Sequence, residues 1–422
     1  MFSPRSRSPA ASPPLLALPF SCLVLAALAW SCDGRPGAVA GDAPAAATGQ
    51  DTPRADSGGE VQSDETAVAS ATTGPESTDG NPPPRGLTAV DGILVGHDTL
   101  SERPTGCTVI LAPAGAVGAV DVRGGAPATR ETDLLRPENL VDTVHAVVLS
   151  GGSAYGLDSA SGVMRHLEER GIGYPVRGAV VPIVVGASLL DLGVGGDAEA
   201  ASIRPDGECG YRAAAAASGD PVAEGSVGAG AGATAGKMLG LESAIKTGVG
   251  SADIGLDDGL VIAALVAVNA FGDVVDPASG KIVAGARRVA DGEADAAAAA
   301  GSLDGPFADA RRLLRRGAQT GGAALENTTL AVVATNARLD KAQAFKVAQM
   351  AHAGFARALV PAHTIFDGDA IFVLATGALP GEVDDAAVSR IGALAAEVVA
   401  DAIVRSATQA TGAAGIPALG DL

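Results

Sequence analysis

From Gly86 onward the chain is a succession of short, almost wholly apolar runs separated by glycine, and this punctuation restricts the fold more than any other feature. "GILVGH", "CTVILAP", "VVPIVVGASLLDLGVG", "AIKTGVGSADI" and "LVIAALVAVNAFGDVVD" are such runs. Apolar stretches of this length read as buried strands, and the intervening glycines serve turns and close backbone packing. "AVVLSGGSAYGLDSASGVMRHLEERGIGYP" reads as strand, glycine loop and helix, with Leu157, Val163, Met164 and Leu167 on one side and Gly171 closing it. Further helices are expected from about Asp340 to Leu359 and from Val383 to Thr408. "HTIFDGDAIFVLATG" reads as a strand pair turning at Asp367-Gly368-Asp369. Residues 290–322, which include "FADARRLLRRGAQTGG", read as an exposed, mobile linker with room for one helix. The fold class is α+β, with helices flanking a mixed sheet core.

The segment before Gly86 has a different composition. Arg5 and Arg7 precede the apolar stretch Leu15 to Trp30, which is short for a membrane span of ~20 residues and has the form of an export signal. It ends "LAWSCD", so residues 1–32 resemble a bacterial lipoprotein signal with Cys32 as the lipidated residue; cleavage by ordinary signal peptidase is the alternative. Residues 33–85 hold almost no large apolar side chains and read as a disordered tether. Residues 86–422 form the folded domain. The implied location is the cell envelope or periplasm, with membrane contact only through the anchor, or else secretion.

Charge and motif spacing exclude several functions. A formal net charge of −19 argues against a nucleic-acid partner, which needs clustered Lys and Arg. The histidines lack HxH or HExxH spacing and the cysteines lack CxxC, so no metal site is expected. Sequence alone does not decide whether Cys107 pairs with Cys209. "GAGAGATAGKM" fails as a phosphate loop, because Met238 follows Lys237 where Ser or Thr is needed. "GGSAY" ends in Tyr155 where a nucleophile elbow needs glycine, which disfavours Ser153 as a hydrolase nucleophile. Asn327-Thr328-Thr329 is also a glycosylation sequon.

"ENTTLAVVATN" admits two readings. In one, Asn327 makes a turn and Thr328 opens a β-branched strand. In the other, the chain is cut between Asn327 and Thr328. A freed threonine carries a hydroxyl nucleophile and, in its own α-amine with a pKa near ~8, a base. Self-cleavage of that kind needs the bond at a sheet edge and a carboxylate close by to handle protons.

The stretches "GLTAVDGILVGH", "TGCTVIL", "DVRGGAPATRETDLL", "VVLSGGSAYGLDSASG", "VGAGAGATAGK", "ALVAVNAFGDVVD", "NTTLAVVATNA" and "DGDAIFVLATG" occur in order from Gly86 to about Gly377. Together they resemble the L-aminopeptidase/D-esterase (DmpA-like) family of self-processing N-terminal nucleophile hydrolases, nearer its threonine-nucleophile nylon-oligomer hydrolase branch. The resemblance implies an αββα sandwich of the DmpA/ArgJ-like type, cut into 86–327 and 328–422, without a cofactor, in a homo-oligomer. It implies Thr328 as nucleophile and base, Asp367 and Asp369 as groups orienting it, and Asn269 as an oxyanion donor. Tyr155 would hydrogen-bond substrate or oxyanion, and Lys237 would steady the nucleophile, although a lysine closing a glycine loop is more often a surface group. The implied substrate is a small peptide or amide. The prototypes cut before serine and carry Ser-Gly-Glu where this chain has Asp-Gly-Asp, so exo- or endo-cleavage stays open. Two other readings are an acyltransferase on the same fold and an uncleaved, non-catalytic envelope binding lipoprotein.

Overall fold

The apolar runs become the strands of one nine-stranded mixed sheet. They are β1 (Leu94–Thr99), β2 (Gly106–Val122), β3 (Thr129–Arg130), β4 (Thr143–Ser150), β5 (Val184–Ser188), β6 (Val249–Gly255), β7 (Val261–Asn269), β8 (Thr328–Thr335) and β9 (Ala370–Ala375). The computed structural model describes residues 84–197, 199–288, 305–317 and 327–422. The leader, Cys32 and nearly all of the tether fall outside the described residues.

Strand order is β6-β7-β8-β9-β2-β4-β5-β3, with β1 also on β2. Neighbours run antiparallel except β8 with β9 and β4 with β5. A parallel pair needs a crossover. The β8–β9 crossover contains helix α4 (Lys341–Ala358), and the β4–β5 crossover contains α1 (Ser159–Glu168). Among the described residues the other α-helices are α2 (Gly207–Ala215), α3 (Ala310–Arg315) and α5 (Asp385–Thr408). A reciprocal cap starts α4: Gln343 N–H donates to Asp340 Oδ1 at 2.8 Å, and Asp340 N–H donates to Gln343 Oε1 at 3.0 Å.

Side-chain alternation sorts the sheet into layers. Leu330 and Val332 of β8, Leu265 of β7 and Phe372 of β9 share a core with Val147 and Leu149 of β4 and Val185 of β5. The intervening residues Ala331, Val333, Ile262, Ala264 and Val373 pack instead under α4 and α5. On the other half, Val109, Ala146 and Val148 pack under α1 and α2. The layers therefore run helices, sheet, sheet, helices, which is the expected αββα sandwich.

One strand joins the two halves. "CTVILAP" and the stretch after it form a single 17-residue strand, β2, whose register on β4 shifts between Leu111 and Ala116. Its early residues pair with β1 and β4, and its late residues with β9. Cys107 near its start is bonded to Cys209 of α2, a disulfide that spans 102 residues of sequence.

Two expectations need correction. Only the second arm of "HTIFDGDAIFVLATG" is a strand, β9. The first arm is irregular because the N–H groups of His363, Thr364 and Phe366 donate to the side chains of Asp369, Asp367 and Thr364, and the Thr364 carbonyl accepts from Gly125 and Asp367, leaving no hairpin ladder. The described part of the linker, residues 305–317, is docked and not simply exposed. Ala308, Ala310 and Leu313 bury against Met238, Phe271 and Ala286. The buried Asp273 carboxylate receives the Ala310 N–H at 2.8 Å.

Candidate active site

Strand register alone brings the main residues together. Asn269 ends β7 directly opposite Thr328, the first residue of β8. Asn327 forms a parallel bridge with Asp367, which places the 363–369 turn beside the start of β8. Asn327, Thr328, Asp367, Asp369, Asn269 and Lys237 are all buried. Burial of Asn327 leaves the sequon no surface on which to carry a glycan.

The peptide group between Asn327 and Thr328 is the centre of the contacts. The Thr328 hydroxyl donates to the Asn327 carbonyl oxygen. The Gly368 backbone N–H donates to the same oxygen at 3.2 Å. A Cβ on Gly368 would lie 2.6 Å from Thr328 Oγ1, so glycine is required there by close approach.

The two carboxylates do different work. Asp369 accepts from the Thr329 N–H at 2.8 Å through Oδ1, and from His363 N–H at 3.0 Å and His363 Nδ1 at 2.8 Å through Oδ2. Asp367 accepts from the Thr364 N–H at 2.7 Å. Burial, and next the charge of Asp369, push the Asp367 carboxyl up to about 6 against the partial relief of Lys237.

The turn is held from outside by "RGGA". Arg123 and Gly124 N–H groups donate to the Asp369 carbonyl at 3.0 and 3.1 Å. Gly125 N–H donates to the Thr364 carbonyl at 3.2 Å and Ala126 N–H to the Asp367 carbonyl at 2.9 Å.

Lys237 is not a surface group: it is 2% exposed. Its Nζ donates to Asn269 Oδ1 at 2.7 Å and lies 3.4 Å from the Asn269 carbonyl oxygen. An ammonium only donates, so it fixes which end of the Asn269 amide is oxygen. Asn269 Nδ2 donates to the Leu190 carbonyl at 2.8 Å. Tyr155 stands apart from this cluster. It is 60% exposed on the turn after β4, with the Arg204 guanidinium 3.7 Å above its ring. That turn is nevertheless tied to the segment that meets Asn269. Ser153 N–H donates to the Leu189 carbonyl at 2.9 Å, and Gly152 N–H to Asp191 Oδ1 at 2.8 Å. Ser153 makes no hydrogen bond to a histidine among the described residues, in keeping with the rejected elbow.

Sequence reasoning missed three supporting residues. His363 was passed over because it belongs to no spaced motif. Asp191, bonded to Arg103 at 3.0 Å and to Thr105 at 2.7 Å, anchors Gly151-Gly152 from behind. Lys246 is fully enclosed, and burial pushes its amine down to about 7. It donates to the carbonyls of Gly230, Ala233 and Thr247 and so ties down the glycine loop that leads to Lys237. An "IK" inside an apolar run was the only trace of it. The loop's glycines serve packing: a Cβ on Gly230 would lie 2.3 Å from the Val249 nitrogen.

Residues 86–418 match the model of peptidase family S58. The chain belongs to that family. It is 42% identical over 358 residues to an uncharacterized aminopeptidase of Mycobacterium bovis, covering 80% of this chain and 97% of the relative. It is 32% identical over 329 residues to a 6-aminohexanoate-oligomer endohydrolase of Kocuria sp., covering 75% and 84%. Among solved structures it resembles a Burkholderia sp. beta-aminopeptidase, with a TM-score of 0.55 and 24% identity over 80% of this chain and 92% of that one. It also resembles the L-aminopeptidase D-Ala-esterase/amidase of Ochrobactrum anthropi, described as a variant of the Ntn-hydrolase fold. There the TM-score is 0.55 and the identity 19%, over 77% and 86% of the two chains. The S58 protein described here is therefore a hydrolase on an αββα scaffold.

Proposed function

We propose that this S58 hydrolase cuts its own Asn327–Thr328 bond, and that Thr328 then hydrolyses amide bonds in small peptides or oligoamides. The convergence of the Thr328 hydroxyl and the Gly368 N–H on the Asn327 carbonyl carries this reading. In self-cleavage, Thr328 Oγ adds to the Asn327 carbonyl carbon and its proton passes to a neighbouring base. The Gly368 N–H stabilises the oxyanion that forms. The Thr328 nitrogen leaves protonated, giving an ester, and water then releases Asn327 as a carboxylate and Thr328 with a free amine.

The same hydroxyl next attacks a substrate carbonyl, with the Thr328 amine taking the proton and passing it to the leaving amine. Asn269, clamped by Lys237, presents its N–H end to the second oxyanion. Water discharges the acyl-threonine. Burial of Thr328 in the uncut chain supports this order, because displacement of Asn327 is what opens the nucleophile to substrate. The names of the relatives favour aminoacyl and 6-aminohexanoyl amides as first substrates. Lipid anchoring at Cys32, an extracytoplasmic location and homo-oligomer formation complete the proposal, and the Cys107–Cys209 disulfide favours an oxidising compartment.

The test is turnover of amino-acid p-nitroanilides and 6-aminohexanoate oligomers by the processed protein. Release that vanishes in Thr328→Ala supports the proposal; equal release by the variant contradicts it.

A further inference from the structure

His363 is the most connected residue near the site that the mechanism above leaves without a part. Its backbone adopts φ +56°, a conformation L residues other than glycine rarely take and one that persists only where surrounding structure imposes it. The result is a pincer: the His363 N–H and Nδ1 both reach Asp369 Oδ2, at 3.0 and 2.8 Å. The carboxylate's other oxygen receives the Thr329 N–H at 2.8 Å, one residue beyond the nucleophile. A carboxylate oxygen accepts, so Nδ1 carries the proton in this contact.

The ring is itself held by packing. His352 of α4 meets it edge-on at 4.7 Å and Phe355 stacks on it at 5.5 Å. His352 Nε2 lies 3.0 Å from the Asp121 carbonyl of β2. Burial holds the His352 imidazole down at about 4, so it stays neutral at working pH. The other charged groups around the pair are Asp367 on the same turn, Asp121 of β2 with its carboxylate 3.8 Å from His352 Nε2, Arg123 after β2, Arg357 of α4, and Lys237 on the Asp367 side.

We propose that His363 is a positioning residue for self-cleavage and turnover: it clamps Asp369 in the rotamer that fixes the start of β8 and hence Thr328. This rests on Thr328 being the nucleophile. Without the imidazole, Asp369 keeps the two backbone donors and loses its side-chain donor. A carboxylate with one donor fewer is freer to leave that rotamer. Misplacement of the reacting group by about 1 Å slows both reactions on the order of a hundredfold.

The experiment follows self-cleavage by intact mass, amide turnover and urea unfolding for the wild type, His363→Ala and His363→Asn. Asparagine can still donate to Asp369. The expected result is cleavage and turnover slowed on the order of a hundredfold in His363→Ala at near-wild-type stability, with partial recovery of both rates in His363→Asn. Wild-type rates of cleavage and turnover in His363→Ala overturn the proposal. So does a slowed, destabilised variant that asparagine does not recover, since that marks a purely structural ring. A wild type that never cleaves defeats the Thr328 reading itself, a result that the variants cannot mimic.

Discussion

Gly124→Ala tests whether the loop after β2 positions the acidic turn. The added Cβ would lie 2.3 Å from the Asp367 carbonyl oxygen and 2.3 Å from the Asp369 nitrogen, both backbone atoms. No side-chain rotation relieves such a contact. Reaching an ordinary separation near 3.4 Å takes about 1 Å of movement between the two loops. Overpacking of this kind costs about 1–3 kcal/mol. Weakening two or three of the Arg123, Gly124 and Ala126 hydrogen bonds adds roughly 0.5–1.5 kcal/mol each. Together the loss of stability is about 2–7 kcal/mol, a large share of a domain's typical total of about 5–15 kcal/mol. The functional loss is larger, because a shift of about 1 Å at the carboxylates costs about a hundredfold in rate. Urea unfolding read by circular dichroism gives the first quantity. The time course of intact mass gives the second. Unchanged stability together with an unchanged cleavage rate would refute the idea that this loop holds the turn.

Other perturbations bear on the same account. Asp367 has a folded-state pKa raised above the ordinary carboxylate range, so the native state holds its proton more tightly than the unfolded chain. Its favourable contribution is complete at low pH and is lost as pH rises towards about 6. Asp367→Asn is therefore expected to unfold at higher denaturant than the wild type at pH 7 while processing more slowly; a destabilised variant would contradict the assignment of burial as the dominant cause. Processing by the wild type should fall below pH 6 as Asp367 takes up its proton, and a rate flat from pH 5 to 8 would count against a role for the ionised group. Reduction of the Cys107–Cys209 bond, which closes a loop of 102 residues, is expected to cost about 2–5 kcal/mol. A melting temperature unmoved by reductant, or labelling of Cys107 and Cys209 by a thiol reagent in the unreduced denatured protein, would show that the bond is absent.

The strands were legible where their chemistry is continuous. "TTLAVVAT" is buried at every position because one face meets the inter-sheet core and the other meets α4 and α5. Helix α4 could be placed because Asp340 and Gln343 cap it within its own first turn. What was not legible depends on distant backbone. The continuity of β2 through Pro113-Ala114-Gly115 follows from its two sets of partners, and nothing local announces it. Ile365 and Phe366 give residues 363–366 the apolar look of a strand, yet the side chains of Asp369, Asp367 and Thr364 take the N–H groups of His363, Thr364 and Phe366. The docking of 305–317 rests on Phe307, Ala308, Ala310 and Leu313, too few apolar side chains to stand out among four arginines. Thr328, Asn269, Asp367 and Asp369 came from resemblance to a family, and strand register now explains their proximity. His363 and Asp191 act through other residues, and no spacing in the chain marks them.

Intact mass of the purified protein, wild type beside Thr328→Ala, tests the central claim most directly. Two fragments in the wild type, the smaller beginning at Thr328, and one whole chain in the variant are the predicted result. A wild type that stays whole would contradict it, leaving Thr328 without a free amine and "NTT" as a turn into a strand.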